Sequence, residues 1–177
     1  MNIIETSLND CVIIEPNVFG DDRGFFLESF HVSRYANLAG ITLPFVQDNH
    51  SRSSKGVLRG LHFQKTRPQG KLVRVVTGEV FDVVVDIRRE SSTFGKWEGV
   101  RLSEKNKKQL WVPPGFAHGF VVLSDLADFE YKCTDYYDPA DEGSILWCDS
   151  DLEIRWPTKN PILSDKDANA SKLIDLK

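Results

Sequence analysis

The sequence contains few cysteines and no long hydrophobic run. Its three cysteines, Cys11, Cys133 and Cys148, are odd in number and widely spaced, and no C-x-x-C pair occurs. This pattern argues against a disulfide framework and predicts reduced thiols, as in a cytosolic protein. The N-terminal residues lack the basic and apolar regions of a signal peptide, and no uncharged apolar run approaches the length of a membrane span. We therefore expect no targeting segment and a cytoplasmic location.

The sequence also lacks an excess of positive charge. Its 26 acidic and 22 basic residues give a formal net charge of −4. General electrostatic attraction to nucleic acid or to an anionic membrane is therefore not expected, and an anionic ligand must be held by basic residues placed locally. Disorder is excluded as well, because 41% of the 177 residues are hydrophobic, which is enough for a buried core.

Apolar residues occur in short runs and alternations bounded by Gly, Pro and Asp, and this pattern predicts an antiparallel all-β domain rather than βαβ units. Strands are predicted at residues 11–18, 45–49, 57–64, 71–76, 80–87, 109–112, 118–123, 129–134 and 144–147. Their number fits a β-sandwich or barrel. The strands at 71–76 and 80–87 are expected to form a central hairpin around Thr77-Gly78. In the second of them, one face should pack and the face with Asp82 is a candidate cavity wall.

Helix is the minority state in this sequence. Residues 32–39 predict a short helix that ends at Gly40, and Ser164 followed by Asp167 is typical of the capping box of a C-terminal helix. No internal repeat, low-complexity stretch or linker is visible. We therefore expect residues 1–177 to form one domain.

Two histidines lie in otherwise apolar strands. A lone interior histidine is usually only hydrogen-bonded, but His62 and His118 occur in a Gly-spaced segment and after a Pro-Pro-Gly turn, which is the outline of a cupin double motif. A metal-binding cupin would show H-x-H and a nearby carboxylate, whereas the neighbours of His62 are Gly60 and Gln64. Because two histidines alone make a poor metal site, the sequence predicts no metal and leaves both as acid, base or hydrogen-bonding groups.

Two side-chain orientations bear on the chemistry. Arg59 and His62 face opposite sides of a regular strand unless Gly60 hosts a bulge, and the sequence leaves this open. Phe129, Tyr131 and Cys133 alternate on a face that should point inward. Tyr131 is then either core filler with a bonded hydroxyl or, in a pocket beside a base, a proton donor.

Taken together, the segments closely resemble the dTDP-4-dehydrorhamnose 3,5-epimerase family in order and spacing over nearly the whole chain. The matching segments are residues 22–28, 47–51, 56–64, 68–75, 82–88, 93–95, 111–120, 131–137 with Glu142, and 164–167. The resemblance implies a metal-free cupin jelly roll that uses no cofactor and forms a homodimer. It also implies an isomerase that acts on dTDP-4-keto-6-deoxy-D-glucose in dTDP-L-rhamnose synthesis.

The resemblance implies a role for each matched residue. His62 is the expected general base and Asp167 its carboxylate partner, while Lys71 stabilises the enolate and Tyr131 returns the proton. The expected substrate-binding residues are Arg23, Glu28, Gln47, Asp48, Asn49, Arg59, His118, Tyr137, Glu142 and Lys166. Tyr137 matches the residue that stacks on thymine, although the neighbouring Tyr136 is an equally aromatic candidate. The segment with Arg23 and Glu28 is expected to reach the partner subunit's site.

Three other functions fit the same residues. The first is a 3-epimerase or 5-epimerase that inverts one carbon, because such relatives can share the His, the Lys and the Tyr. The second is a related ketoisomerase of nucleotide sugars. The third is a non-catalytic cupin that binds a nucleotide sugar. Such a protein does not need a base, a carboxylate, a cation and an acid together, so their presence favours an enzyme.

Overall fold

The short alternating segments pair into antiparallel sheets in the computed structural model, which describes residues 1–176. The larger sheet has the spatial order β1 (Asn2–Glu5), β2 (Val12–Glu15), β10 (Gln109–Val112), β7 (Lys71–Thr77), β12 (Leu126–Cys133) and β5 (Gln47–Ser54). The smaller sheet has the order β13 (Glu142–Ser144), β6 (Leu58–Gln64), β11 (Phe116–Val122), β8 (Glu79–Asp86) and β9 (Trp97–Ser103). A separate hairpin joins β3 (Val18–Asp21) and β4 (Gly24–Leu27). The predicted all-β jelly roll is confirmed.

The helices are few and short. The predicted helix at residues 32–39 is confirmed as α1 (Val32–Ala39), which ends at Gly40 in the left-handed conformation, with φ of 68°. A second helix, α2 (Asp165–Ala168), begins after Ser164, and a 3-10 turn covers Leu173–Asp175. Within residues 1–176, no helix is long and apolar enough to cross a membrane.

The expected hairpin at Thr77-Gly78 is wrong. β7 pairs with β10 and β12 in the larger sheet, whereas β8 pairs with β11 and β9 in the smaller one. Gly78 has φ of 79°, and a Cβ there would lie 2.1 Å from the carbonyl oxygen of Leu126. The turn therefore passes the chain from one sheet to the other at a crowded corner, which a sequence pattern does not distinguish from a hairpin turn.

Other strand boundaries also differ from the prediction. The predicted strand at 11–18 breaks into β2 and the start of β3, because Pro16 lacks the N–H that a continuous ladder needs. The predicted strand at 144–147 is β13, at Glu142–Ser144. The prediction does not include β1 or β9, and it covers only the first residue of β3. β9 is an edge strand with a mixed polar sequence.

Apolar side chains form three clusters. The largest lies between the two sheets and includes Val73, Val84 and Phe129. A second lies on the outer face of the larger sheet, where Tyr35 of α1 covers it. The third lies on the outer face of the smaller sheet and includes Val83. Both faces of β8 therefore pack, and the site described below lies between the sheets where the first cluster ends.

Candidate active site

A cavity of about 330 Å³ opens between the sheets and is lined mostly by polar side chains. The larger sheet and its flanking segments contribute Gln47, Asn49, Gln69, Lys71, Tyr131 and Tyr137, and the smaller sheet contributes His62, Phe63, Gln64 and Glu142. Among them, His62, Lys71 and Tyr131 are polar residues in strands that also carry the buried apolar residues of the core. The fold thus brings the expected base, cation and acid into one cavity.

The orientation of β6 depends on a bulge at Gly60. His62 pairs with His118 and Arg59 pairs with Phe120, so three residues of β6 span the distance of two residues of β11. Gly60 has φ of 122°, and a Cβ there would lie 2.5 Å from the Cα of Gly119. The sequence left open whether Arg59 and His62 face the same side of β6. The bulge allows both to face the cavity, where the charge of Arg59 acts on Tyr131.

His62 and Asp167 form a closely bonded pair. The Nε2 of His62 lies 2.5 Å from Oδ1 of Asp167, a residue that is 3% exposed. Burial by itself raises the pKa of Asp167, but hydrogen bonds from His62 and Ser164 outweigh it and hold that pKa below its usual range. Because Nε2 is engaged with the carboxylate, Nδ1 is the nitrogen left to accept a proton from a ligand. It lies 3.8 Å from Oε1 of Glu142.

Lys71 approaches the same cavity from the larger sheet. It is the first residue of β7, is partly buried, and pairs across the ladder with Cys133. Burial lowers the pKa of Lys71, and the carboxylates of Glu142 and Asp82 act in the opposite direction. An ammonium with little water around it interacts strongly with a developing negative charge.

Tyr131 lies on the inner face of β12, as the alternation predicts. Its ring packs against Phe129 with a centroid distance of 5.9 Å, and Cys133 on the same face is fully buried. Burial raises the pKa of Tyr131 to about 12, whereas the charge of Arg59 acts in the opposite direction. Among the described residues, its hydroxyl makes no hydrogen bond, so it is free to meet a ligand.

Glu142 joins three other polar groups at the cavity wall. Its Oε2 accepts hydrogen bonds from the hydroxyl of Tyr137 at 3.0 Å and from Nζ of Lys166 at 2.8 Å. Burial raises the pKa of Glu142, but Lys166 and the neighbouring His62 outweigh this, and the net pKa is below the usual range. Tyr137 lines the cavity and Tyr136 does not.

Asn49, Gln47 and Arg59 make polar contacts near this wall. The amide of Gln47 donates to Oδ1 of Asn49 at 3.0 Å, and its Oε1 accepts from the backbone N–H of Tyr137 at 2.9 Å. Nε of Arg59 donates to the hydroxyl of Ser53 at 3.0 Å. These bonds connect β5 to both sides of the cavity.

His118 forms a second buried pair, with a residue that the sequence prediction does not assign to the site. Its Nε2 lies 3.0 Å from both carboxylate oxygens of Asp82, which is fully buried. His118 lies directly across from His62 in the sheet. In the sequence, the sign of this pair is an aspartate within a run of valines. The alternation in β8 predicted only that Asp82 lies on a possible cavity wall and did not indicate its partner.

Three residues that were expected to bind substrate lie away from the cavity of the single chain. Asp48 is on the outer face of β5, where Lys132 donates to it at 3.1 Å. The side chain of Arg23 is 90% exposed and bonds Asp21 in the β3–β4 hairpin. Glu28 follows that hairpin and pairs with Arg34 of α1 at 3.1 Å. One chain alone does not unite them with His62.

Metal-ligating side chains do not cluster in the part of the chain that the structure describes. Across residues 1–176, no three His, Cys, Asp or Glu residues converge in a group that could hold a metal ion. His62 and His118 each pair with a carboxylate instead.

Comparisons with known proteins agree over nearly the whole chain. A sequence profile described as dTDP-4-dehydrorhamnose 3,5-epimerase matches residues 5–175. Proteins named dTDP-4-dehydrorhamnose 3,5-epimerase are 58% identical in Shigella flexneri, covering 99% of this chain and 97% of the relative, and 59% identical in Salmonella typhimurium, covering 99% and 96%. A solved dTDP-6-deoxy-D-glucose-3,5-epimerase from Legionella pneumophila, in complex with dTDP-4-keto-L-rhamnose, is 59% identical with a TM-score of 0.97 and coverage of 99% and 94%.

Proposed function

The chain belongs to the dTDP-4-dehydrorhamnose 3,5-epimerase family of isomerases, and on that premise we propose that it inverts C3 and C5 of dTDP-4-keto-6-deoxy-D-glucose. The product is dTDP-4-keto-L-rhamnose, the precursor of dTDP-L-rhamnose. The observation that carries the proposal is the His62–Asp167 pair in one cavity with Lys71 and Tyr131. Together they supply a base, its carboxylate, a cation and an acid, which is what proton abstraction next to a ketone requires.

His62 is the general base in this proposal. The C4 ketone of the substrate acidifies the C–H bonds at C3 and C5, yet a free imidazole with pKa about 6.5 is a weak base toward carbon. Nδ1 takes the proton, and the carboxylate of Asp167, 2.5 Å from Nε2, stabilises the imidazolium that forms. The electrons of the broken C–H bond pass to the C4 oxygen and form an enolate.

Lys71 stabilises that enolate. Its ammonium group enters the cavity from the sheet opposite His62, and partial burial limits the water that would screen it. One donor of this kind typically contributes about 10²–10³-fold in rate.

Tyr131 returns a proton to the opposite face of the sugar ring, and this completes the inversion. It lies on the larger sheet, whereas His62 lies on the smaller one, so a ring bound between them meets the two groups from different sides. The tyrosinate that forms is stabilised by the nearby charge of Arg59. It recovers a proton from solvent, and the imidazolium of His62 releases its proton to solvent, which restores both groups. The same cycle then operates at the second carbon.

The nucleotide occupies the rest of the cavity and its mouth. Tyr137 offers an exposed ring for stacking on thymine, with Glu142 and Lys166 beside it. Arg59 supplies a cation for the diphosphate, while Gln47, Asn49 and His118 offer polar contacts to the sugar and its substituents.

The active form in this proposal is a homodimer. Phe19, Phe25 and Phe26 in the β3–β4 hairpin are 63%, 59% and 68% exposed, which is unusual for side chains of this size. Docking of the hairpin on a second copy would bury these rings and carry Arg23 and Glu28 toward the partner subunit's cavity. Asp48, on the outer face of β5, is then a candidate contact of the assembled site.

The test uses purified, chelator-treated protein with dTDP-4-keto-6-deoxy-D-glucose in heavy water, followed by NMR at C3 and C5. Deuterium at both carbons, with product that a 4-ketoreductase converts to dTDP-L-rhamnose, is the expected result. H62A should incorporate no deuterium while still binding dTDP. H50A is the matched control, because His50 lies on the outer face of β5. Label at one carbon would indicate a single-centre epimerase, and turnover by H62A would refute the assignment of the base.

A further inference from the structure

Ser164 contacts Asp167 at two points, and no step of the proposed reaction uses it. The residue is the N-cap of α2, with extended backbone. Its Oγ accepts a hydrogen bond from the backbone N–H of Asp167 at 3.2 Å, and the same hydroxyl donates to Oδ2 of Asp167 at 2.8 Å. The first bond is an ordinary helix cap. The second is not needed for capping and links Ser164 to the carboxylate that bonds His62.

The hydrogen bonds of the Asp167 carboxylate show what the second contact does. Oδ1 is bonded to Nε2 of His62, Oδ2 to the hydroxyl of Ser164, and the backbone N–H of Gly60 also points to the group. A carboxylate bonded at both oxygens has its plane fixed as well as its position. Without the hydroxyl, Asp167 keeps its bonds with His62 and Gly60 but loses the bond of Ser164 to Oδ2, so its carboxylate plane is less firmly fixed.

The surrounding segment does not supply that constraint by itself. α2 has only four residues, and helices of this length are not stable on their own. Backbone bridges hold the segment on each side, between Ile162 and Val57 and between Ser171 and Ile145. Between these anchors, the hydroxyl of Ser164 ties the carboxylate to its own turn.

We propose that Ser164 is a positioning residue for the catalytic base, which holds the carboxylate of Asp167 against Nε2 of His62 so that Nδ1 stays directed into the cavity. The inference rests on the proposed role of His62 as base. A hydrogen bond to a charged group at a site of this kind corresponds to about a 10-fold to 100-fold change in rate.

Four variants separate positioning from simple helix capping. S164A removes both contacts, and S164T retains both. S164D keeps an acceptor for the backbone N–H, since Asp is as good an N-cap as Ser, but it has no proton to donate to Oδ2. N169A is the matched control, because Asn169 donates to the carbonyl oxygen of Asp165 at the other end of α2.

Each variant is assayed for kcat and KM across pH and for deuterium uptake, with the thermal midpoint as a measure of folding. S164A and S164D should lose about 10-fold or more in kcat with little change in KM, while S164T and N169A stay within about threefold of wild type. Wild-type kcat in S164D would show that only capping matters and would overturn the proposal.

A second measurement does not depend on turnover. In protein labelled with ¹⁵N-histidine, the ring shifts of His62 report which nitrogen carries the proton. Wild type should show the Nε2–H form of the neutral ring, and S164A a mixture of the two neutral forms. An unchanged tautomer in S164A would refute the inference even if the enzyme is active. If wild type takes up no deuterium while the tautomer shifts in S164A, the function has failed and the positioning has not.

Discussion

Replacing Tyr131 with Phe is the most informative single change to the proposed reaction. It removes one oxygen and leaves the ring packed on Phe129, where the centroids are 5.9 Å apart. Because the hydroxyl makes no hydrogen bond among the described residues, its loss should change the free energy of unfolding by less than about 1 kcal/mol. Any large kinetic effect then reports chemistry rather than folding.

The expected effect is a separation of exchange from inversion. His62 and Lys71 remain in Y131F, so the enolate still forms and the base can return a deuteron to the face from which it took the proton. Inversion should fall by about 10²–10⁴-fold, the usual contribution of a positioned acid. Deuterium uptake at C3 and C5 should fall much less.

The assay follows both quantities in one sample. NMR in heavy water reports isotope uptake at each carbon, and the coupling constants of the sugar ring report its configuration. The thermal midpoint of Y131F checks that folding is unchanged. Inversion at the wild-type rate, or exchange and inversion lost in equal proportion, would contradict the assignment of Tyr131 as the proton donor.

Three further predictions concern assembly, nucleotide binding and stability. If the β3–β4 hairpin completes the partner's site, R23A and H62A should each be inactive alone. Refolding the two variants together in equal amounts should restore about a quarter of wild-type activity, because half the dimers then carry one intact site. No recovery would place Arg23 and His62 in the same subunit's site. Y137A should weaken dTDP binding in calorimetry by about 10-fold or more and Y136A much less, because only Tyr137 lines the cavity; the reverse order would assign thymine stacking to Tyr136. Burial raises the pKa of Asp86, but hydrogen bonds from an arginine, a serine and a threonine outweigh burial and lower that pKa to about 2. The free energy of unfolding of D86N, measured with urea at pH 7, should therefore be about 2 kcal/mol below that of wild type, and the difference should shrink as pH falls from about 4 toward 2. A difference that does not change with pH would contradict the charge-based origin.

Local patterns in the sequence were sufficient where a structural feature depends on neighbouring residues. The helix at 32–39 was predicted with its end at Gly40, and the inward face of β12 followed from alternation. The bulge at Gly60 was one of two possibilities that the strand pattern allowed. That residues 1–177 form one domain, and that the reaction needs no cofactor, stay predictions.

Features that depend on distant parts of the chain were not accessible in this way. A turn at Gly78 looks the same whether the next strand returns to the same sheet or crosses to the other, because the crowding that decides it comes from the carbonyl of Leu126. His62 and Asp167 are 105 positions apart, so only the family resemblance linked them. Asp82 escaped assignment because its partner, His118, lies on another strand.

The proposed base lies in a strand inside a sheet, whereas its carboxylate partner lies in a segment that fewer neighbours stabilise. His62 belongs to a strand with neighbours on both sides, whereas Asp167 and Lys166 lie in a short turn of helix near the C-terminal end of the described chain. Local opening costs least where few backbone bonds and apolar contacts hold a segment. Loosening of the segment around α2 would therefore remove the carboxylate and a cavity-wall lysine together while the jelly roll stays folded. It follows that activity should be lost on heating before the sheets unfold, and the bonds of Ser164, which keep Asp167 against His62, act at the step that fails first.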